Sequence, residues 1–93
     1  MSQELEIMRV LVLSTAHLSQ DEGATHASDW PAYTLEGEYG FISYVADFNE
    51  GDAQWEDWPG LQACAKLARE HGLEWVRFDR DAEEIEGLPT YDW

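Results

Sequence analysis

A long stretch of this chain carries negative charge with no positive charge to offset it. Residues 10–65 include no lysine or arginine, and these 56 residues contain ten carboxylates. Like charges in a compact state repel one another, and a field of one sign attracts partners of the opposite sign. The fold must therefore keep its carboxylates apart in solvent or allow them to pair with positively charged groups.

The whole chain is acidic, yet it has the composition of a folded domain. Its 93 residues include 20 acids against five lysines and arginines, a formal net charge of −15. Hydrophobic residues make up 44 % and aromatic residues 13 % of the chain, whereas disordered acidic chains are poor in aromatics. We therefore expect one compact acidic domain over residues 1–93. Residues 1–7 would be a loose N-terminal extension, with Met8 as an alternative start.

The charge balance also limits the classes of partner. Binding to DNA, RNA or an anionic membrane needs clustered lysine and arginine, so we expect basic proteins as partners instead. The single cysteine, Cys64, cannot form an internal disulfide, which suits a reducing cytoplasm. The apolar run at 10–13 is too short for a signal peptide or a membrane span. The expected location is the cytoplasm.

The first half of the chain predicts strands around a short polar segment. Residues 9–14 are apolar and β-branched, which predicts a buried, central strand. Residues 19–28 leave a short helix and an ordered loop both open, although Ser19 and Glu22 form a capping-box pattern. A short strand is predicted at 33–35 and a stronger one at 39–46. The acid-rich residues 47–58 predict a loop.

The second half contains the clearest helix, at 59–71. Pro59 suits a first helical turn, Gly72 suits a C-terminal cap, and apolar residues between them recur at helical spacing. A strand is predicted at 73–78, a turn at 79–82 and a charged edge strand at 83–86. The expected fold is α+β, a single, mostly antiparallel sheet of about three to five strands with the long helix on one face.

No pattern in the sequence predicts catalysis. The loop at 47–58 places its glycine wrongly for an EF-hand, the histidines lack metal-ligand spacing, and there is no glycine-rich phosphate loop. We therefore predict neither a cofactor nor a metal. A cluster of His17, Asp21 and Glu22 remains as a third alternative, a small metal-dependent enzyme, against a structural role for the histidine. Cys64 lies on the apolar stripe of the helix and is expected in the core.

Two tryptophans in the acidic loop have two interpretations. Trp55 and Trp58 flank Glu56 and Asp57. They could pad the start of the helix. Alternatively, an exposed tryptophan beside carboxylates could anchor an arginine through stacking and ion pairing. The sequence leaves both interpretations open.

Two segments resemble a family. The sequence LSTAHL at 13–18 and the sequence GLPTYDW at 87–93 are similar to an uncharacterised family of small acidic domains associated with bacterial plasmids and phages. The resemblance spans nearly the whole chain but implies no activity. By size and charge, without a shared motif, the chain also resembles DNA-mimic inhibitors such as anti-CRISPR and anti-restriction proteins.

These observations lead to a non-enzymatic inhibitor as the first hypothesis. Its carboxylates would replace phosphates in the basic groove of a bacterial nucleic-acid-binding complex, a CRISPR-Cas effector in the first instance, and block access of DNA. The predicted partner-binding residues are Glu36, Glu38, Asp47, Glu50, Asp52, Trp55, Glu56 and Asp57. A second acidic cluster, interrupted by Arg77 and Arg80, is a fallback surface: Asp79, Asp81, Glu83, Glu84 and Glu86. The alternative is an antitoxin-like or accessory module that neutralises a basic partner protein.

Overall fold

The computed structural model describes residues 9–38 and 40–91. Within these residues it contains four strands and two α-helices, joined by loops with short 3₁₀ turns. In chain order the elements are β1 (Val10–Ser14), α1 (Gln20–Ala24), β2 (Thr34–Gly37), β3 (Gly40–Tyr44), α2 (Pro59–Glu70) and β4 (Trp75–Asp79). The predicted N-terminal extension at 1–7 and the start of the predicted strand at Tyr39 lie outside the described residues.

The strands form a mixed sheet in the order β1-β4-β3-β2. β4 pairs parallel with β1, with Val76 opposite Leu11, and antiparallel with β3, with Phe78 opposite Phe41. β2 and β3 form an antiparallel hairpin in which Leu35 is opposite Ile42. The predicted α+β class, with one small and mostly antiparallel sheet, is confirmed.

The prediction of a central first strand was wrong, because β1 is an edge strand and β4 occupies the interior of the sheet. Its apolar run is buried on one side only: Leu13 is fully buried, whereas Val12 is 46 % exposed. A continuous apolar run is typical of strands covered on both faces. In β1 one face of the run packs on the core, and the hydrophobic residues of the other face are partly exposed to solvent.

α2 forms where the sequence predicts it and packs on one face of the sheet. Its buried stripe consists of Leu61, Cys64, Ala65 and Ala68, with small residues that allow a close approach to β4. The helix ends in a complete Schellman motif around Gly72, whose φ is 70°. The Gly72 amide donates to the Arg69 carbonyl at 3.0 Å, and the Leu73 amide donates to the Ala68 carbonyl at 2.8 Å.

Aromatic side chains from two segments, one between α1 and β2 and the other between β3 and α2, cover the remainder of the same face. Trp30 is the centre of this half of the core: its ring lies 4.7 Å from Phe41, 5.0 Å from Trp58 and 6.0 Å from Phe78. Phe48 and Trp55 extend the cluster in a T-shaped contact at 4.9 Å. These large rings thus cover this part of the sheet, as a second helix does on other sheets.

The charged edge strand predicted at 83–86 does not form. These residues have no strand structure, because the chain there is bound by a side chain rather than by a neighbouring strand. The amide of Ile85 donates to Nε2 of His17 at 2.9 Å, and Nδ1 of His17 donates to the Pro89 carbonyl at 2.8 Å. Residues 80–91 therefore form a C-terminal strap clamped by a buried histidine.

Candidate functional site

The sheet topology brings several chain segments together at one end. In the register, Ser14 at the end of β1 is opposite Asp79 at the end of β4, and Asp79 is opposite Gly40 at the start of β3. The β2–β3 hairpin therefore turns at the same end of the sheet at which β1 and β4 finish. The hairpin and the turn after β4 therefore lie at the same end of the sheet although they are far apart in sequence.

α2 also begins at this end, because a buried carboxylate holds its first turn. Glu22 is 2 % exposed. Its Oε1 accepts from the amide of Gly60 at 3.1 Å, and its Oε2 accepts from the amide of Leu61 at 2.8 Å. These amides are among those that a helix leaves unpaired at its N-terminus, and a carboxylate there also interacts favourably with the helix dipole.

The same carboxylate completes the predicted capping box of α1. The Ser19 amide donates to Oε1 of Glu22 at 2.9 Å, and the Glu22 amide donates to the Ser19 hydroxyl at 3.3 Å. Glu22 therefore joins the two helices. Gly60 makes the contact sterically feasible, since a Cβ at that position would lie 2.3 Å from the His17 carbonyl oxygen.

Together these contacts place acids from five segments at one end of the sheet, which we call the acidic end. They come from α1, the β2–β3 hairpin, the turn before α2, the end of β4 and the turn after it. Most of these side chains are exposed to solvent, and Asp79 is half-buried. The acidic end consists of Asp21, Glu36, Glu38, Glu56, Asp57, Asp79 and Asp81.

The predicted partner-binding acids are all exposed, but the structure divides them. Glu36, Glu38, Glu56 and Asp57 belong to the acidic end. Asp47 follows Val45, whose amide bonds to the Glu74 carbonyl just before β4 begins, so it lies toward the opposite end of the sheet. Glu50 and Asp52 fall on the loop between the two ends.

Glu50 is already partly neutralised within the chain. Its carboxylate lies 3.8 Å from Nζ of Lys66 on α2, and both side chains are more than half exposed. A surface ion pair of this kind contributes about 0–1 kcal/mol, so a partner could displace it. The remaining predicted acids form no ion pair within residues 9–38 and 40–91.

The prediction of Trp55 as an exposed anchor was wrong. Trp55 is 1 % exposed and packs against Phe48, and its indole N–H has no hydrogen-bond partner among the described residues. Trp58 is half-buried against Trp30. The other interpretation, that these tryptophans pad the start of α2, is the one that the structure confirms.

The fallback cluster is only partly available to a partner. The carboxylate of Asp79 lies 3.4 Å from the guanidinium of Arg77 and accepts from the Asp81 amide at 2.9 Å. The sequence indicated that Arg77 would neutralise part of this cluster, and that is confirmed. Asp81, Glu83, Glu84 and Glu86 remain exposed on the strap.

The proposed cluster of His17, Asp21 and Glu22 does not form a metal or acid–base site. Both ring nitrogens of His17 and both carboxylate oxygens of Glu22 are committed to structural hydrogen bonds, and Asp21 is exposed. No group of three or more potential metal ligands occurs in the part of the chain that the structure describes. His17 is the structural histidine that the sequence favoured.

The charge of Glu22 influences two further titratable groups, the buried Cys64 and the partly exposed Tyr91. Burial, reinforced by the charge of Glu22, raises the pKa of the Cys64 thiol to about 12. Burial and the charges of Glu22 and Cys64 also raise the pKa of Tyr91, whose amide donates to the Ala16 carbonyl at 2.8 Å. A thiol held protonated in this way is a core residue and a poor nucleophile, as the sequence predicts for Cys64.

Comparison with known proteins places the chain in a family without assigning an activity. Residues 10–93 match the C-terminal domain of DUF5983, a family of unknown function. The chain belongs to this family. No curated protein and no solved structure matches it. Among residues 9–38 and 40–91, none of the helices has the length and apolar character that crossing a membrane requires.

Proposed function

We propose that this domain is a non-enzymatic binding protein whose acidic end occupies the basic groove of a bacterial nucleic-acid-binding complex and blocks access of DNA. The observation that supports it is the convergence of carboxylates from five segments on one end of a compact sheet, in a chain whose net charge is −15. Backbone pairing and the Glu22 contacts hold these segments in fixed relative positions. Carboxylates fixed in this way can replace phosphates without a large loss of conformational entropy on binding.

The charge also favours fast capture of a basic target. A strong one-sign field raises association rates above the ordinary ~10⁵–10⁶ M⁻¹s⁻¹, an effect that salt screens. A phage or plasmid gains from blocking host nucleases, and a CRISPR-Cas effector is one complex with a suitable basic channel. The second candidate function, an antitoxin-like module that neutralises a basic neighbour, uses the same surface but does not require competition with DNA.

A comparison of two charge-reversed variants tests the proposal. Glu38→Lys with Glu56→Lys changes the charge of the acidic end, whereas Asp47→Lys with Glu50→Lys makes the same change in charge elsewhere. Each protein is immobilised and exposed to bacterial lysate at ~0.1 M and ~1 M salt, since the screening length falls from ~10 Å to ~3 Å over this range. Captured complexes are then challenged with duplex DNA.

The expected result is capture of a nucleic-acid-binding complex at low salt, its displacement by DNA, and loss of capture in the acidic-end variant alone. Equal loss in both variants would show that net charge matters and the acidic end does not. A captured basic protein that DNA fails to displace would favour the antitoxin-like module over the DNA mimic.

A further inference from the structure

The face of the sheet opposite α2 presents hydrophobic side chains to solvent. Along β4, Val76 and Phe78 point into the core, so Trp75 and Arg77 point to the other side. Tyr33 is 63 % exposed, Leu35 51 % and Val12 46 %. We call this surface the open face; the register assigns to it Val10, Val12, Tyr33, Leu35, Ile42, Tyr44, Trp75 and Arg77.

One half of the open face is a row of aromatic rings. Trp75 lies at its centre, with Tyr44 at 5.0 Å and Tyr33 at 6.4 Å, both in edge-to-face geometry. Two of the rings are on paired strands, and the Tyr44 amide bonds to the Tyr33 carbonyl at 2.8 Å. Rings held by each other and by a sheet lose little freedom on binding, and tryptophan and tyrosine dominate the energy of protein interfaces.

The other half contains a notch where the hairpin lacks side chains. Gly37 and Gly40 are opposite each other in the register, and Gly40 cannot be replaced because a Cβ there would lie 1.9 Å from the Phe78 carbonyl oxygen. A cavity of about 360 Å³ results, lined by hydrophobic and acidic residues. Its lining includes Leu35, Ile42, Arg77, Glu36 and Glu38.

The chemistry of this notch fits a long cationic side chain. Leu35 and Ile42 offer apolar surface to an aliphatic stem, and Glu38 offers a carboxylate to an ammonium or guanidinium head. Arg77, which also lines the notch, is already paired with Asp79 at 3.4 Å. A second copy of this chain is a poor occupant, because each copy carries a net charge of −15.

We propose that the open face is the docking surface for a basic segment of the partner protein, with an apolar residue on the aromatic row and a lysine or arginine in the notch. This inference rests on the proposed function, since it assumes a cationic partner, and it adds an apolar centre to an interface otherwise made of charge. Desolvated aromatic anchors, with charges at the rim, are the usual arrangement of protein interfaces.

The test uses two synthetic peptides of equal positive charge, one of alternating lysine and leucine and the other of lysine alone. Binding is measured by calorimetry and by backbone amide chemical shifts. The variant combines Tyr33→Ser and Leu35→Ser, both at exposed positions of the open face. Ile85→Ser is the matched control, because Ile85 is 39 % exposed and lies on the strap.

The expected result is about a tenfold loss of affinity for the lysine–leucine peptide in the double variant, which is typical of lost interface anchors. Affinity for oligolysine should fall by a smaller factor, because that peptide loses only the contact of its lysine stem with Leu35. The control should behave as the wild-type protein. Chemical shifts on addition of the lysine–leucine peptide should concentrate on β3 and β4. Unchanged affinity for the lysine–leucine peptide in the double variant would overturn the docking surface.

Other outcomes separate this inference from the proposed function. If oligolysine binding is lost in the Glu38→Lys, Glu56→Lys variant but the open-face variant binds both peptides normally, the acidic end survives and the docking surface fails. If sedimentation shows a dimer that the open-face variant abolishes, a second copy is the occupant and the inference is wrong. If neither peptide binds the wild-type protein, both proposals fail.

Discussion

Both faces of the sheet consist mostly of hydrophobic residues, but the two faces have different surroundings. On the covered face Leu13, Val76 and Phe78 are at most 1 % exposed, beneath α2 and the aromatic side chains around Trp30. On the open face Tyr33 and Leu35 are more than half exposed. The burial of a strand face therefore cannot be inferred from the composition of the strand alone, because a sheet buries only the face that another element covers. Stability should therefore depend on one face and binding on the other.

The largest expected contrast is between two neighbours on β4. Phe78→Ala removes a fully buried ring that contacts Trp30 and should lower the free energy of unfolding by about 3–5 kcal/mol. Arg77→Ala, one residue away on the open face, should cost less than about 1 kcal/mol. Urea unfolding followed by tryptophan fluorescence measures both. Similar losses in the two variants would show that the open face is also part of the core.

The attachment of α2 to the covered face should depend on the carboxylate of Glu22. In Glu22→Gln one carboxylate oxygen, which accepts from the Gly60 or the Leu61 amide, becomes an NH₂ group that can only donate. This substitution should lower the free energy of unfolding by about 3 kcal/mol. The adjacent Asp21→Asn, at an exposed position, should change stability by less than about 0.5 kcal/mol. Thermal unfolding of the pair checks this. A mild effect of Glu22→Gln would mean that packing alone holds the helix.

At Gly60, helix propensity and tertiary packing should change the free energy of unfolding in opposite directions. Alanine is about 1 kcal/mol better than glycine inside a helix. In this structure, however, its Cβ would lie 2.3 Å from the His17 carbonyl oxygen, so Gly60→Ala should destabilise the protein by about 2 kcal/mol. Chemical denaturation gives the sign directly. A stabilised variant would contradict the close contact between α2 and the segment after β1.

The pH dependence of stability should show whether the Cys64 thiol is buried on the covered face. Because the pKa of its thiol is raised from 9.0 to about 12, the folded state holds the proton more tightly than the unfolded state. The resulting stabilisation is complete below pH 9 and is lost as pH rises toward 12. At pH 10 the loss should be about 1.4 kcal/mol, measured as the difference in pH dependence between the wild-type protein and Cys64→Ala. An identical dependence in both would place the thiol in contact with solvent.

The smallest effect is expected from the open face itself. Leu35→Ser should change the free energy of unfolding by only about 0.5 kcal/mol, since the side chain is already half exposed in the folded state. Tyr33→Ser should behave similarly. Equilibrium unfolding of both, beside Phe78→Ala, completes the comparison. A cost of several kcal/mol would mean that the exposed hydrophobic side chains of this face are needed for folding.

The sequence predicts local structure well where the signal is contained in a few neighbouring residues. The capping box of Ser19 and Glu22, the start of α2 at Pro59 and its end at Gly72 all depend on contacts within one or two turns. Each was confirmed. By contrast, the predicted edge strand at 83–86 was wrong, because the pairing of a strand depends on a neighbour that is distant in sequence.

The candidate site could be predicted only in part. The sequence identifies an excess of exposed acids, and the structure confirms their exposure. It does not indicate that the hairpin acids lie at the same end of the sheet as Glu56 and Asp57, since that depends on strand order. Nor does it indicate that Trp55 is buried, because a tryptophan beside carboxylates has the same pattern in a core and at an interface.

The sequence alone predicts an acidic α+β domain, a helix at 59–71 and a cysteine in the hydrophobic core. These features follow from composition and from periodicity along the chain. Three further features are visible only in the folded structure: β1 is an edge strand, Glu22 holds the start of α2, and one face of the sheet remains open. The physical reason is that these features arise from contacts between segments far apart in sequence, such as the hydrogen bond from Leu61 to Glu22, and local pattern does not encode which segments meet.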